Sequence, residues 1–297
     1  MSYTLNPERK QLFAINFRQR LESAIELPPL PEVTRELLLL RNSDVDIKRL
    51  IHIVAKDASI AAQMLSYARL SMFGYGNRIQ TLDDSVMLVL GYDKALHMAM
   101  GIAAGKSLRM QADGPLGRKA FWHHSLQMAM LTQALCMTLP AAKRPEPGVC
   151  YLAGLLHDIG YMLFGHLYPA EFSMLNQLVA QYPERDVREL EMSGFGVSHD
   201  MIGMWLMRAW NMPESIVVAV REHCFFDYDG KHSIYSKLVA FANQILRAES
   251  GESALAGNGE FIACETLGLD AQQVEQLLER MREASSPLEV MARELAA

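Results

Sequence analysis

A chain of 297 residues, 50% hydrophobic and 21% charged, has enough apolar material to bury one large core or two smaller ones, which excludes a disordered segment. Its 34 acidic and 28 basic residues leave a formal charge of -6, without the basic excess that a phosphate backbone demands, so no nucleic-acid partner is expected. The opening MSYTLNPERK lacks the apolar run of a signal peptide, and no stretch reaches roughly 18 uninterrupted apolar residues, so a cytoplasmic protein outside the membrane is expected. Cys136, Cys150, Cys224 and Cys264 lie far apart without a CxxC pair, and are expected to be reduced, mostly buried thiols.

Apolar residues recur at three- and four-residue spacing almost throughout, and β-branched alternation over a strand length is hard to find, which predicts an all-α fold. Leu12, Ile15, Leu21 and Ile25 fit a first helix, which the Leu27-Pro28-Pro29-Leu30-Pro31 segment must stop because prolines cannot continue its hydrogen bonds. Val33, Leu37, Leu38 and Leu40 give a second helix its apolar face; Ile47, Leu50, Ile51 and Val54 do so for a third, and Ala58–Leu70 follows. Gly74 and Gly76 mark a loop. Asp83 or Asp84 caps a short helix that Gly91 ends, and Tyr92–Met110 reads as the next.

The QADGPLG run at 111–117 is the sharpest break in the pattern. Beyond it, helices are predicted over 118–138, 147–157, 169–181, 184–192, 198–210, 214–223 and 234–247, with a helical tail over 260–296. Met98, Met100, Met128, Met130 and Met137 read as filler between packed helices.

The most informative stretch is Leu152-Ala153-Gly154-Leu155-Leu156-His157-Asp158-Ile159-Gly160, where an imidazole and a carboxylate end an apolar helix. A buried carboxylate must be protonated or partnered, by a divalent cation or a hydrogen-bonding histidine, so a polar site inside the bundle is implied. Neighbouring helical residues point about 100° apart, and His157 and Asp158 can converge only on a centre near the helix end. His124 in FWHHS, His199 in SHDMIGMWL and His223 in VVAVREHC also lie at the ends of apolar helices and are expected at the same centre. His52, His97, His166 and His232 read as ordinary surface or packing residues, and His123 is ambiguous.

His124, the His157-Asp158 doublet and the later polar residues resemble the HD superfamily, in which such residues bind divalent metals for phosphoester hydrolysis. LPPLPEV, IVAKDASIAAQMLSYARLSMFG, the Ile79-Gln80-Thr81-Leu82 run leading to Val86 and Leu90-Gly91, then Gly196 to Gly203, Leu206 to Trp210 and Met212-Pro213-Glu214, narrow the resemblance to the HDOD family over residues 20–225. The resemblance implies an all-helical bacterial signalling module, with residues 27–110 as an N-terminal helical layer, 118–247 as an HD-like bundle and 248–297 as a helical extension. It also implies metal ligation by His124, His157, Asp158, His199 and His223.

The chain departs from that pattern in several places. It has Asp57-Ala58 where the family usually has Asp-Pro, and Arg69 and Leu70 where it has an Asn-Ser pair. Related cyclic-dinucleotide phosphodiesterases have a lysine at Tyr161, a second histidine at Cys224 and a Gly-Tyr-Pro that is missing here, and HD enzymes have an aspartate at Asn243. These departures weaken the water activation and charge neutralisation that an HD enzyme needs. They leave three readings: a non-catalytic signalling domain meeting a protein partner, a metal-dependent phosphohydrolase of a nucleotide or cyclic dinucleotide, and a nucleotide sensor without turnover. Asn243, Cys224 and Tyr161 are carried as further pocket residues; the cofactor is iron, manganese, zinc, nickel or magnesium, or none, and the oligomeric state stays open.

Overall fold

The computed structural model describes residues 28–41, 45–249, 264–283 and 285–296, together with residues 8, 11–13, 15, 16 and 19. No strand occurs among them, in agreement with the all-α expectation. In chain order the helices are α1 (Glu32–Arg41), α2 (Ile47–Ala55), α3 (Ala58–Ala68), α4 (Gly91–Lys106), α5 (Arg118–Thr138), α6 (Pro147–Leu156) and α7 (Ile159–Leu167). They continue as α8 (Pro169–Gln181), α9 (Val187–Phe195), α10 (His199–Ala209), α11 (Glu214–Glu222), α12 (Ser233–Glu249), α13 (Cys264–Leu267), α14 (Ala271–Glu283) and α15 (Ser285–Ala296).

The starts of these helices follow from short polar side chains. Asp46 accepts the Arg49 N–H ahead of α2, Asp57 accepts those of Ser59 and Ile60 ahead of α3, and Asp186 accepts that of Glu189 ahead of α9. Ala58 therefore occupies the first position of α3, where proline is tolerated but not required, so the missing Asp-Pro leaves the cap intact. Thr81, rather than Asp83 or Asp84, caps the helical turn Leu82–Asp84, with Asp84 returning a bond to the Thr81 N–H. A π-helical stretch, Ser85–Leu90, follows, and Gly91, at φ 71, turns the chain as it enters α4.

The described residues form two compact units. One takes the described residues within Met1–Pro29, Leu108–Phe121 and Leu156–Ile262; the other takes those within Leu30–Ser107, Trp122–Leu155 and Ala263–Ala297. The units are thus interleaved along the chain. In the second unit α1 packs on α2 and α4, α3 on α2 and α4, and α15 on α3. Its core includes Leu37, Leu50, Met64, Met98, Trp122 and Leu155, so the segment 122–155 is part of the same apolar interior as α1–α4.

In the first unit α7 packs against α8 and α10, α10 against α11, and α11 against α12. Helix α7 lies outside the predicted set, since Gly160 and Gly165 in IGYMLFGHL mask an otherwise apolar helix. Gly160 is there for proximity: a Cβ would run into the His199 carbonyl, and at Gly203 one would meet Val220 Cγ1 at 2.6 Å. Of the predicted first helix, residues 11–13, 15, 16 and 19 are helical. Leu12 and Ile15 are 57% and 45% exposed, while Phe13 meets Phe164, Tyr168 and Phe195 at centroid distances of 6.0, 4.9 and 5.9 Å. The anchor is therefore the aromatic ring, whose larger apolar surface gains more from burial; Leu21 and Ile25 lie outside the described residues.

Leu82–Lys106 and Pro147–Leu167 are long and apolar enough to cross a membrane, yet 61% and 94% of their most apolar windows are buried within the protein, as in core helices. Substituting Gly160→Ala should lower stability by about 1–3 kcal/mol because backbone must move to admit the methyl group. Gly194→Ala, whose Cβ would meet only Leu178 at 4.0 Å, should be neutral or stabilising; urea unfolding of both variants checks the contrast.

Candidate functional site

The site is built on the first unit. Helix α6 ends at Leu156, and His157 and Asp158 form the turn into α7. Asp158 stands at the N-cap of α7, where aspartate ordinarily accepts a helix N–H, but its side chain makes no capping bond. The carboxylate turns instead to three imidazoles. Its Oδ2 lies 3.2 Å from His157 Nε2, and its Oδ1 lies 3.4 Å from His199 Nε2 and 3.5 Å from His223 Nε2.

His199 opens α10 and His223 closes α11, so two helix ends deliver their rings to one point. The two Nε2 atoms are 3.3 Å apart, and Cys224 Sγ lies 3.7 Å from that of His199. Each ring is fixed from behind. Glu191 on α9, itself buried, places both carboxylate oxygens 2.9 Å from His199 Nδ1 and accepts the His199 backbone N–H at 3.0 Å. His223 Nδ1 lies 2.9 Å from the Val220 carbonyl, which accepts its proton and leaves Nε2 to face the centre. Tyr161 stacks on His199, ring centres 4.5 Å apart and planes 22° from parallel.

The residue after His199 anchors the same helix end. Asp200 is fully buried and accepts from Arg188 Nε at 3.1 Å and from Arg221 at 2.6 Å, tying α9 and α11 to α10. Both guanidinium groups also lie over the Phe225 ring, at 4.5 and 5.2 Å from its centre.

Alternating charge dominates the electrostatics. Burial opposes ionisation of Asp158, yet His157, His223 and His199 hold its carboxyl well below the usual range. Burial likewise opposes a charged His199, but Glu191 and then Cys224 raise its pKa well above that of free imidazole. For His223 burial is outweighed by Cys224 and Asp158, which raise it to about 10. The Cys224 thiol, pushed up by burial, is drawn below its ordinary value by His223 and His199. Tyr161 is pushed far up by burial, then by Glu191 and Asp158, and stays a neutral phenol.

His199 Nε2 and His223 Nε2 lie 3.3 Å apart, Asp158 Oδ1 is 3.4 and 3.5 Å from them, Cys224 Sγ is 3.7 Å from His199 Nε2, and His199, His223 and Cys224 offer donors all within 4.8 Å of one another. A tetrahedral ion with bonds of 2.0–2.3 Å requires donors about 3.3–3.7 Å apart. The donor chemistry also fits, since imidazole, thiolate and carboxylate suit zinc and neighbouring transition ions better than magnesium. The hydrogen bonds to Glu191 and the Val220 carbonyl are the outer partners that metal-bound histidines use.

Of the residues expected at one centre, the first unit brings together His157, Asp158, His199 and His223, with Cys224 and Tyr161 beside them. His124 is on α5 and belongs to the second unit. Asn243 lies part-buried on α12, and none of the cluster's polar contacts given above involves it. Glu191 was missed: within VRELEMSGF it resembles one of several charges on a solvated face, and only the glycine turn at Gly196 hints that α9 folds back toward His199.

The comparisons agree with this architecture. The HDOD domain profile matches residues 27–225, two thirds of the chain. The chain belongs to the HDOD family. Among solved structures, this HDOD chain is similar to a candidate signal transduction protein from Marinobacter aquaeolei VT8, at 29% identity and a TM-score of 0.80, covering 100% of this chain and 68% of the other. An HDOD domain protein of unknown function from Geobacter sulfurreducens shares the fold at 22% identity and a TM-score of 0.71, covering 95% and 97%. A candidate phosphohydrolase from Shewanella amazonensis SB2B does so at 21% and 0.69, covering 94% and 97%. An uncharacterised protein from Treponema pallidum is 25% identical over 232 residues; the match takes in 77% of this chain but only 44% of that relative's length.

The raised pKa of His223 means that its charged form contributes stability in full below the ordinary imidazole value, about 6.5, and that this contribution is lost as pH rises through about 10. Asp158→Asn should lower the His223 midpoint by removing one of the anions that sustain it. Histidine ring NMR over a pH titration checks this, and an unchanged midpoint would contradict the assigned contact.

Proposed function

We propose that this HDOD domain holds a divalent transition metal in a closed, non-hydrolytic centre and acts in signalling through contacts with a protein partner. The observation that carries the reading is that His199, His223 and Cys224 offer donors within 4.8 Å of one another while Asp158 Oδ1 lies 3.4 and 3.5 Å from the two imidazoles, so that a fourth protein ligand is at hand. A zinc-type site with four protein ligands is saturated, whereas a catalytic one keeps a position for water. Hydrolysis of a phosphoester needs that water with its pKa lowered, and Tyr161 offers a neutral ring against His199 where related enzymes carry a lysine.

Bound metal would supply the positive charge that the imidazolium protons otherwise provide. The protein's own groups do the rest: Glu191 and Val220 orient the two imidazoles, Asp158 joins α7 to the ends of α10 and α11, and Asp200 ties those ends to α9. The site then stiffens a surface instead of processing a substrate. The likeness to the Marinobacter aquaeolei protein, at 29% identity, supports a signalling role. Hydrolysis of a nucleotide or cyclic dinucleotide is the rival, and it draws on His157 at the second oxygen of Asp158.

Purified protein should contain a transition metal by elemental analysis and show no product from cyclic dinucleotides, nucleotides or a phosphomonoester in the presence of manganese, iron or magnesium. Glu191→Gln should weaken metal binding by roughly 10–100-fold in a chelator competition, as loss of an outer-shell partner does. Affinity should rise with pH, because the ion must displace protons from His199 and His223. Turnover abolished by Asp158→Ala would replace this reading with the enzymatic one, and a wild-type protein that takes up no metal would remove it.

A further inference from the structure

The second unit contains a cavity of about 410 Å³, within the size range of small-molecule sites. Tyr67, Met130 and Gln133 line it from the core, and Gln273, Gln276 and Arg280 line it from α14. Met137, expected as core filler, is 49% exposed and lines it too. Lys94, in the first turn of α4, carries its ammonium into this space.

The surroundings of that ammonium are unusual in one respect. Lys94 Nζ lies 5.1, 5.2 and 6.0 Å from the ring centres of Tyr67, Phe73 and Tyr151, and among the described residues it has no hydrogen bond or ion pair. Ring faces attract a cation, but they neutralise no charge and accept no strong hydrogen bond from its three donors. Among the described residues none that lines the cavity is a carboxylate, and the second charged group there, Arg280, is also a cation. A cation set against apolar walls, with a second at the rim and space before both, matches an anion that has an apolar body.

We propose that this cavity binds a small organic anion, a carboxylate or phosphate monoester on a short apolar body, with its head on Lys94 and its body against Met130, Met137 and Ala134. Burial lowers the Lys94 pKa to about 8, so the free site stands close to losing the charge that a bound anion would retain. Among the described residues the other ionisable groups beside the ammonium are the phenols of Tyr67 and Tyr151, both raised above their ordinary value by burial, and Arg280 also lines the cavity, so Lys94 governs the response near pH 8. The site is independent of the cluster around Asp158, and its test needs no metal.

Hexanoate and phenyl phosphate, with hexan-1-ol as the uncharged control, are titrated calorimetrically into the full chain at pH 7 and pH 9. Both anions should bind with Kd of about 1 mM or tighter at pH 7, more weakly at pH 9, and at least roughly tenfold more weakly in Lys94→Met. Ala134→Leu, which fills the cavity while keeping the ammonium, should weaken them as well; circular dichroism establishes that each variant is folded. If Lys94→Met is not folded, the Ala134→Leu and pH comparisons decide alone. Binding of hexan-1-ol as tight as that of hexanoate, undiminished anion binding in a folded Lys94→Met, or no heat from either anion at about 10 mM would overturn the assignment.

Discussion

One largely buried carboxylate organises the first unit. Asp158 can remain ionised away from bulk water only while opposite charge and proton donors stand within about 4 Å, and that requirement recruits residues from three helix ends. His157 comes from its own turn, His199 from the start of α10 and His223 from the end of α11. The imidazoliums of His199 and His223 then need anions of their own, which Glu191 and Cys224 supply. The cluster is in this sense a chain of mutual obligations: deleting any charge leaves another stranded, which is why it is so much more restrictive than apolar packing nearby.

Packing and polarity cooperate at that point. Gly160 lets α7 approach the His199 carbonyl, a contact no other side chain would permit, and Gly203 opens the next turn to Val220. Behind the rings, Asp200 with Arg188 and Arg221 joins α9, α10 and α11 by a second, largely buried network. The donor atoms therefore sit at helix ends and in the turns that adjoin them, so their separations are set by how these helices pack.

Much of this was legible in the sequence, for a simple reason. Imidazoles and a carboxylate at the ends of otherwise apolar helices violate the expected partition of polar and apolar residues, and His157, Asp158, His199 and His223 all carried that mark. Glu191 and Lys94 did not, because a single charge in a mixed helix such as VRELEMSGF or GYDKALHM looks solvated until the neighbouring helices are in place. Periodicity found most helices to within a few residues. It missed α7, where glycines needed for close approach depress local helix propensity, and it turned the first helix toward Leu12 and Ile15 when Phe13 carries its ring contacts. Thr81 was overlooked as a cap in favour of the acids that follow it, though one of those, Asp84, completes the reciprocal bond.

The interleaving of the two units has a bearing on synthesis. Helices α1–α4 emerge from the ribosome well before α14 and α15, which belong to the same unit and include the partner of α3. Gln63 on α3 must wait for Glu294 on α15, its hydrogen-bond partner at 2.9 Å across more than two hundred intervening residues. During translation the first unit can gather its long run from Leu156 onward while the second still exposes the apolar surface that α15 will cover. Completion of α1–α4 is thereby tied to the arrival of α15, and a nascent chain halted at the end of the HDOD match would have that surface bare.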